Sequence, residues 1–90
     1  MLRQKYKMLL RRFFSREIGK CRIQLQLTQE EFSERLCMAP RSYVDLEHGT
    51  SGCSDVTLVL FLDQLKDEEI LRVVHGAGDE LRKAGRHDVA

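Results

Sequence analysis

The chain has 90 residues, of which 42% are hydrophobic and 32% charged, and its formal net charge is +1. This length fits one small domain, and the composition is that of a soluble globular protein rather than a disordered or membrane-embedded one. The three cysteines include no pair close enough for a zinc knuckle, so we expect reduced thiols and a cytoplasmic location.

The charges are unevenly distributed along the chain. Residues 1–24 carry eight Lys and Arg residues against one acid, whereas residues 25–80 carry four against twelve acids. A contact with a polyanion therefore depends on the N-terminal segment. Apolar residues recur there at helical spacing, which predicts a basic amphipathic helical extension over residues 1–13. An anionic membrane is one alternative partner for it, but we favour packing of its apolar stripe on the domain or on a second subunit.

Two short helices joined by a tight turn are predicted next. Thr28 and Glu31 form a Thr-x-x-Glu capping box, which indicates that a helix starts there. Pro40 suits the first turn of the following helix, because its missing N–H is no loss at that position. Gly49 can end this helix in the left-handed conformation.

The run VTLVLFLDQL, residues 56–65, could be a buried strand by composition alone, but its length and helical context favour a fourth helix. Such a helix is apolar around most of its circumference, more than one small core can cover. An exposed apolar patch of this kind indicates a subunit interface. The candidate dimer-interface residues are Val56, Leu58, Val59, Phe61 and Leu62.

A fifth helix is expected from residue 67, because three consecutive acids favour a helix N-terminus. Gly76 and Gly78 are expected to interrupt it. The sequence thus predicts an all-α protein with a compact four- to five-helix domain over residues 14–75, preceded by the basic extension and followed by a polar C-terminal tail over residues 76–90.

Four consecutive pieces of the chain carry a family resemblance. They are RIQLQLTQEEFSERL (22–36), the turn CMA (37–39), the helix PRSYVDLE (40–47) and the closing HG (48–49). Together they resemble the helix-turn-helix domain of the lambda Cro and repressor class, also called the XRE family, over about residues 14–65. The resemblance implies double-stranded DNA as the partner, a homodimer, no cofactor, and a bacterial or phage-type context.

The resemblance also implies roles for individual residues. Residues 40–46 correspond to the recognition helix that enters the major groove. Arg22 and Glu47 correspond to a partly buried structural ion pair. The backbone-contact candidates are Gln29, Ser42 and Gly49. The base-reading candidates are Ala39, Pro40, Arg41, Val44 and Asp45.

The sequence departs from the family at two kinds of position. Pro40 donates no hydrogen bond and Asp45 is an acid, so the reading helix is poorer in donors than is common in the family. Gln26 and Cys37 occupy turn positions where glycine is common, which predicts backbone strain at Cys37 if its φ is positive.

Two functions remain open from the residues. The first is a sequence-specific transcriptional regulator that occupies a palindromic or pseudopalindromic operator as a dimer. The alternative is a protein-interaction module of antitoxin or anti-repressor type, which would keep the helix-turn-helix shape and use it, or the apolar face of residues 56–65, to bind another protein. No nucleophile, base and orienting group can be assembled, and the histidines are scattered, so neither an enzyme nor a metal site is expected.

Overall fold

A computed structural model describes the backbone of residues 2–89 and the side chains of residues 3–86. Within this range the chain is all-α, as predicted, and no strand is formed. Residues 56–65, which could have formed a strand, are mostly helical. The five helices are α1 (Leu2–Gln24), α2 (Gln29–Arg35), α3 (Pro40–Glu47), α4 (Asp55–Asp63) and α5 (Asp67–Val89).

The three central helices begin at local signals in the sequence. The Glu31 amide donates to Thr28 Oγ1 at 3.1 Å, and the Thr28 amide donates to Glu31 Oε1 at 2.8 Å, which completes the predicted capping box of α2. Pro40 is the first residue of α3, where no amide is needed. The Ser54 hydroxyl accepts from the Thr57 amide at 3.2 Å and caps α4.

A buried cluster, which also includes Val73 of α5, joins all five helices. Ile18 of α1, Phe32 of α2, Leu46 of α3 and Phe61 of α4 are each 2% exposed or less. The Phe32 ring meets that of Tyr43 edge to face, with centroids 5.7 Å apart, and this contact locks α2 against α3. The core therefore lies beneath α2 and α3 and holds these two helices in a fixed relative position.

The two long helices, α1 and α5, pack against each other in opposite directions. Glu17 of α1 contacts Arg72 near the start of α5, and Phe13 lies beside Gly76. Tyr6, farther back in α1, lies beside Gly85. The N-terminal half of α1 is thus covered by the C-terminal half of α5.

The predicted interruption at Gly76 and Gly78 is wrong, because α5 continues without a break to Val89. A Cβ on Gly76 would lie 3.1 Å from Phe13 Cζ, so glycine allows α1 to approach α5 closely. This packing outweighs the helix penalty of a glycine, about 1 kcal/mol. Residues 76–89 are consequently helical rather than a tail, and neither proposed domain boundary coincides with a helix end.

Two turn residues adopt the left-handed conformation that favours glycine. Gln26 has φ 58° and Cys37 has φ 54°, and both occupy turn positions where glycine is common in the family that the sequence resembles. For a residue with a Cβ this conformation costs roughly 1–2 kcal/mol. The turns before and after α2 are therefore maintained against a local backbone preference.

Cys37→Gly is expected to raise the free energy of unfolding by about 1 kcal/mol, because glycine adopts a positive φ without steric penalty. Cys37 is exposed, so the thiol contributes little packing. Urea denaturation checks this, with Cys37→Ala as the control that removes the thiol and keeps the Cβ. An equal gain in both variants would mean that φ is not the cause.

Candidate nucleic-acid interface

A four-residue turn, residues 36–39, connects α2 to α3. The Cys37 amide donates to the Glu34 carbonyl at 3.1 Å, and the Met38 amide donates to the Ser33 carbonyl at 3.0 Å. The Ser33 side chain is fully buried, and its hydroxyl donates to the Glu30 carbonyl at 2.6 Å. These bonds make the turn rigid and fix the direction in which α3 leaves it.

The predicted base-reading residues lie on the outer side of α3. Tyr43 and Leu46 face the core and are buried. Arg41 is exposed and makes no hydrogen bond or ion pair within the described part of the chain, so its guanidinium is available to a ligand. The structure brings together on this side four exposed residues and one half-buried residue, namely Ala39, Pro40, Arg41, Asp45 and Val44.

The three backbone-contact candidates have different surroundings. Gln29, half-buried, is the first residue of α2, and Ser42 is exposed on α3. Gly49 has φ 78°, as its capping role predicted, but its amide donates to the Leu46 carbonyl at 3.1 Å. The amide of Gly49 is therefore already engaged, and a phosphate contact by the backbone near Gly49 stays a prediction that depends on other groups of this loop.

The amides of the next two residues are engaged as well. Those of Thr50 and Ser51 both donate to the Asp45 carbonyl, at 2.9 and 3.3 Å. In contrast, the amides of Gly52 and Cys53 make no hydrogen bond to any residue that the structure describes. The donors that the loop after α3 can offer to a phosphate thus lie at these two residues, three or more positions beyond Gly49.

Arg22 and Glu47 form a two-bonded ion pair between α1 and the end of α3. Arg22 Nε donates to Glu47 Oε2 and Nη2 donates to Oε1, each at 2.9 Å. A third bond runs from Arg22 Nη1 to the Leu27 carbonyl at 3.0 Å. The side chains are 19% and 15% exposed, so water screens the pair only in part. This pair ties the recognition helix to the first helix.

Burial alone would raise the pKa of Glu47, but the Arg22 guanidinium, with Tyr43 and Gln29, lowers it below its usual value of 4.5. The Tyr43 hydroxyl is buried beside this pair and close enough to act on the Glu47 carboxylate, although no described atom meets the full geometry of a hydrogen bond to it. Burial, followed by the Glu47 carboxylate, raises the pKa of Tyr43. The tyrosine therefore stays neutral while the glutamate stays charged.

The lowered pKa of Glu47 predicts an acid-sensitive fold. The group contributes stability above the usual value of 4.5 and loses that contribution as the pH falls through its lower folded-state value. Urea midpoints between pH 7 and pH 3 should fall more steeply below pH 4.5 for the wild type than for Glu47→Gln. Parallel curves for the two proteins would show that Glu47 titrates equally in the folded and unfolded states.

One buried charge was missed by sequence reasoning. Glu17 is 8% exposed and lies 3.2 Å from Arg72 Nη1 of α5 and 3.8 Å from Lys20 Nζ. It is the one acid among residues 1–24, and it continues the helical spacing of Leu10 and Phe13. An acid on the apolar side of a basic helix was the signal that could have revealed an ion pair with another helix.

The predicted dimer-interface residues divide into three groups. Val56 and Val59 are 63% and 64% exposed, whereas Leu58 and Leu62 are partly buried against the core. Phe61 is fully buried in the single chain, so it cannot contact a second subunit, and its assignment to the interface is corrected. The exposed apolar surface of α4 is narrower than its sequence indicated, because Phe61 is buried and Leu58 and Leu62 are partly buried against the core.

Other kinds of site find little support. No group of three His, Cys, Asp or Glu side chains among residues 3–86 could hold a metal ion, and none of the helices over residues 2–89 combines the length and apolar character of a membrane span. His87 lies outside the described side chains. Burial raises the pKa of the Cys53 thiol to about 11, which keeps it protonated and unreactive near neutral pH.

Comparison with known proteins identifies the family. A model of the family described as helix-turn-helix matches residues 18–66, more than half of the chain, and this range holds the end of α1 and all of α2, α3 and α4. No curated protein and no solved structure gave a match. With α3 held outward on a rigid turn and the family match over the same residues, the chain belongs to the DNA-binding helix-turn-helix family of the lambda Cro and repressor class, the XRE family.

Proposed function

We propose that this protein is a transcriptional regulator that binds a specific operator as a dimer, with α3 in the major groove. The observation that carries the proposal is the unpartnered, exposed Arg41 on a helix whose other side is fixed in the core by Tyr43 and Leu46. A rigidly held helix with a free guanidinium fits the major groove of B-DNA.

Each exposed group of α3 has a role that its chemistry supports. The planar guanidinium of Arg41 can donate to both acceptors of a guanine edge. Asp45, one turn later, can accept from a cytosine amino group or orient Arg41. Ala39, Pro40 and Val44 offer apolar contacts to a thymine methyl group. Gln29 and Ser42 are the proposed phosphate contacts, which would set the register without reading sequence.

Dimerisation is proposed through α4. Val56 and Val59 are one helical turn apart, and together with Leu60 and Asp55 they line a shallow apolar depression. Two large exposed apolar side chains on one helix favour burial against a second copy. A dimer that binds a palindromic operator needs its two recognition helices in successive major grooves, about 34 Å apart.

A protein-interaction module is the second candidate, and one observation favours it. The exposed side of α2 carries Glu30, Glu31 and Glu34, and α3 adds Asp45, so the exposed acids of these two helices outnumber the one arginine of the reading helix. Such a surface suits a basic protein partner better than DNA. We propose no catalytic role, since domains of this family are DNA-binding regulatory units.

The dependence of DNA binding on salt separates the two candidates. The purified protein is titrated against random duplex DNA over a range of salt concentrations. A DNA reader that contacts several phosphates should show a log–log slope near 0.9 for each phosphate neutralised. Binding that is weak and insensitive to salt would contradict the regulator and favour the interaction module.

A further inference from the structure

Three basic side chains lie on one face of the N-terminal half of α1. Arg3, Lys7 and Arg11 are spaced by four residues, are all exposed, and line one polar groove together with Gln4 and Met8. We call these three residues the arm cluster. None of them has an acidic partner among the residues that the structure describes. Like charges at this spacing destabilise a helix, so the arrangement is unfavourable for the isolated protein.

The apolar side of the same segment is partly covered within the chain. Phe13 is 8% exposed and packs against Gly76, and the Tyr6 hydroxyl lies against Gly85. This packing uses much of the stripe that could otherwise insert into a membrane or meet a second subunit. It also holds the arm cluster in a fixed position, because α5 supports the helix on the side next to it.

The arm cluster is continuous with the loop that follows the recognition helix. A Cβ on Gly52 would lie 3.8 Å from both Nε and Nη2 of Arg11. Lys7 and Arg11 line a cavity of about 280 Å³ together with Gly52 and Cys53. The amides of these two loop residues have no hydrogen-bond acceptor within the described structure. Fixed cationic side chains thus lie beside two unused backbone donors.

We propose that the arm cluster and the Gly52 and Cys53 amides form a second phosphate-binding surface, which contacts DNA phosphates flanking the bases that α3 reaches. Cationic side chains and backbone amides are the groups that bind DNA phosphates. Residues 25–80 carry only four basic residues against twelve acids, so α3 and its surroundings need this added attraction to approach DNA. The proposal rests on the proposed DNA-binding function and extends it to the flanking backbone.

The test compares two variants that each lose two positive charges. Lys7→Gln/Arg11→Gln alters the arm cluster, and Arg35→Gln/Lys66→Gln removes two exposed charges from the end of α2 and the turn before α5. Binding to random duplex DNA is measured against salt. The arm variant is expected to lower the log–log slope by about 1.8, the value for two phosphates, and the control should leave it unchanged. The arm variant should melt no lower than the wild type, since it relieves repulsion.

Specific DNA of two lengths then locates the contact. A duplex with about ten flanking base pairs on each side of the recognised site should bind the wild type more tightly than a trimmed duplex, whereas the arm variant should bind the two alike. An unchanged salt slope for the arm variant, or an equal loss in the control, would overturn the proposal. So would wild-type binding to phosphatidylglycerol vesicles that the arm variant loses while its DNA slope stays unchanged.

These readouts distinguish this proposal from the proposed function. The arm variant should keep the base preference of the wild type, because phosphate contacts do not read sequence. If the wild type prefers no sequence, the specific-regulator function fails, but the change in slope on random DNA still decides the role of the arm cluster.

Discussion

Glu47→Ala is expected to lower the free energy of unfolding by about 3–5 kcal/mol, because it leaves the Arg22 guanidinium partly buried without its carboxylate. The wild-type pair has two bonds of 2.9 Å and is less than one-fifth exposed at either side chain. Loss of Glu47 also releases the end of α3 from α1. We therefore expect DNA binding to weaken along with stability, as the recognition helix loses its fixed position.

The matched control is Glu34→Ala, which removes an exposed acid from α2 and should change stability by less than about 0.5 kcal/mol. Urea denaturation measures both variants. The double variant Arg22→Met/Glu47→Ala should lose less stability than Glu47→Ala alone, because no unpaired charge remains buried. Equal losses for Glu47→Ala and Glu34→Ala would mean that the pair contributes nothing to the fold.

Arg41→Ala is expected to reduce discrimination at one base pair by about 1–3 kcal/mol, with little change at the other positions. Arg41 is the one arginine or lysine on α3, and no described residue competes for its guanidinium. A side chain that donates to both acceptors of guanine loses both bonds on truncation. The fold should be unaffected, since the exposed side chain packs against nothing in the core.

Affinities for every single-base-pair variant of the bound site measure this effect. Arg35→Ala serves as the control, because it removes an exposed arginine of α2 that is not a base-reading candidate. The Arg35 guanidinium donates to Gln64 Oε1 at 3.4 Å. Uniform weakening by Arg41→Ala over all sequences would reassign Arg41 to a phosphate contact.

Local signals explain why the central helices could be predicted from sequence. A capping box at Thr28, a proline at the first position of α3 and a glycine at the end of α3 each satisfy or omit particular backbone groups. These effects need no knowledge of the rest of the chain. The family resemblance then supplied the ion pair of Arg22 with Glu47, which spacing alone could not assign.

Features that depend on tertiary packing were not predictable in the same way. Gly76 is a helix-weakening residue in isolation, and only the Phe13 ring against it explains why α5 continues. Phe61 is one of many apolar residues of α4, and the sequence does not indicate which of them face the core. Likewise, the amide of Gly49 is occupied by a carbonyl of α3, a bond set by the turn geometry rather than by residue type.

We expect α3 to determine sequence preference and the arm cluster of α1 to determine attraction to the DNA backbone. Pro40 and Asp45 add no hydrogen-bond donor to α3, so we expect Arg41 to supply the main directional contact. Attraction to the backbone is assigned to the arm cluster instead. Affinity should therefore respond to changes in α1, whereas sequence preference should respond to changes in α3.

Selection of binding sites from random duplex DNA by the purified protein tests whether the protein binds a specific operator as a dimer. We expect enrichment of a palindrome or near-palindrome whose half-sites are one helical turn apart, because the two α3 helices of a dimer would lie about 34 Å apart. The same half-sites should be recovered at two salt concentrations, with weaker retention at the higher one. Salt-sensitive retention without any enriched sequence would contradict the proposed operator binding, because α3 would then lie at the surface without reading bases.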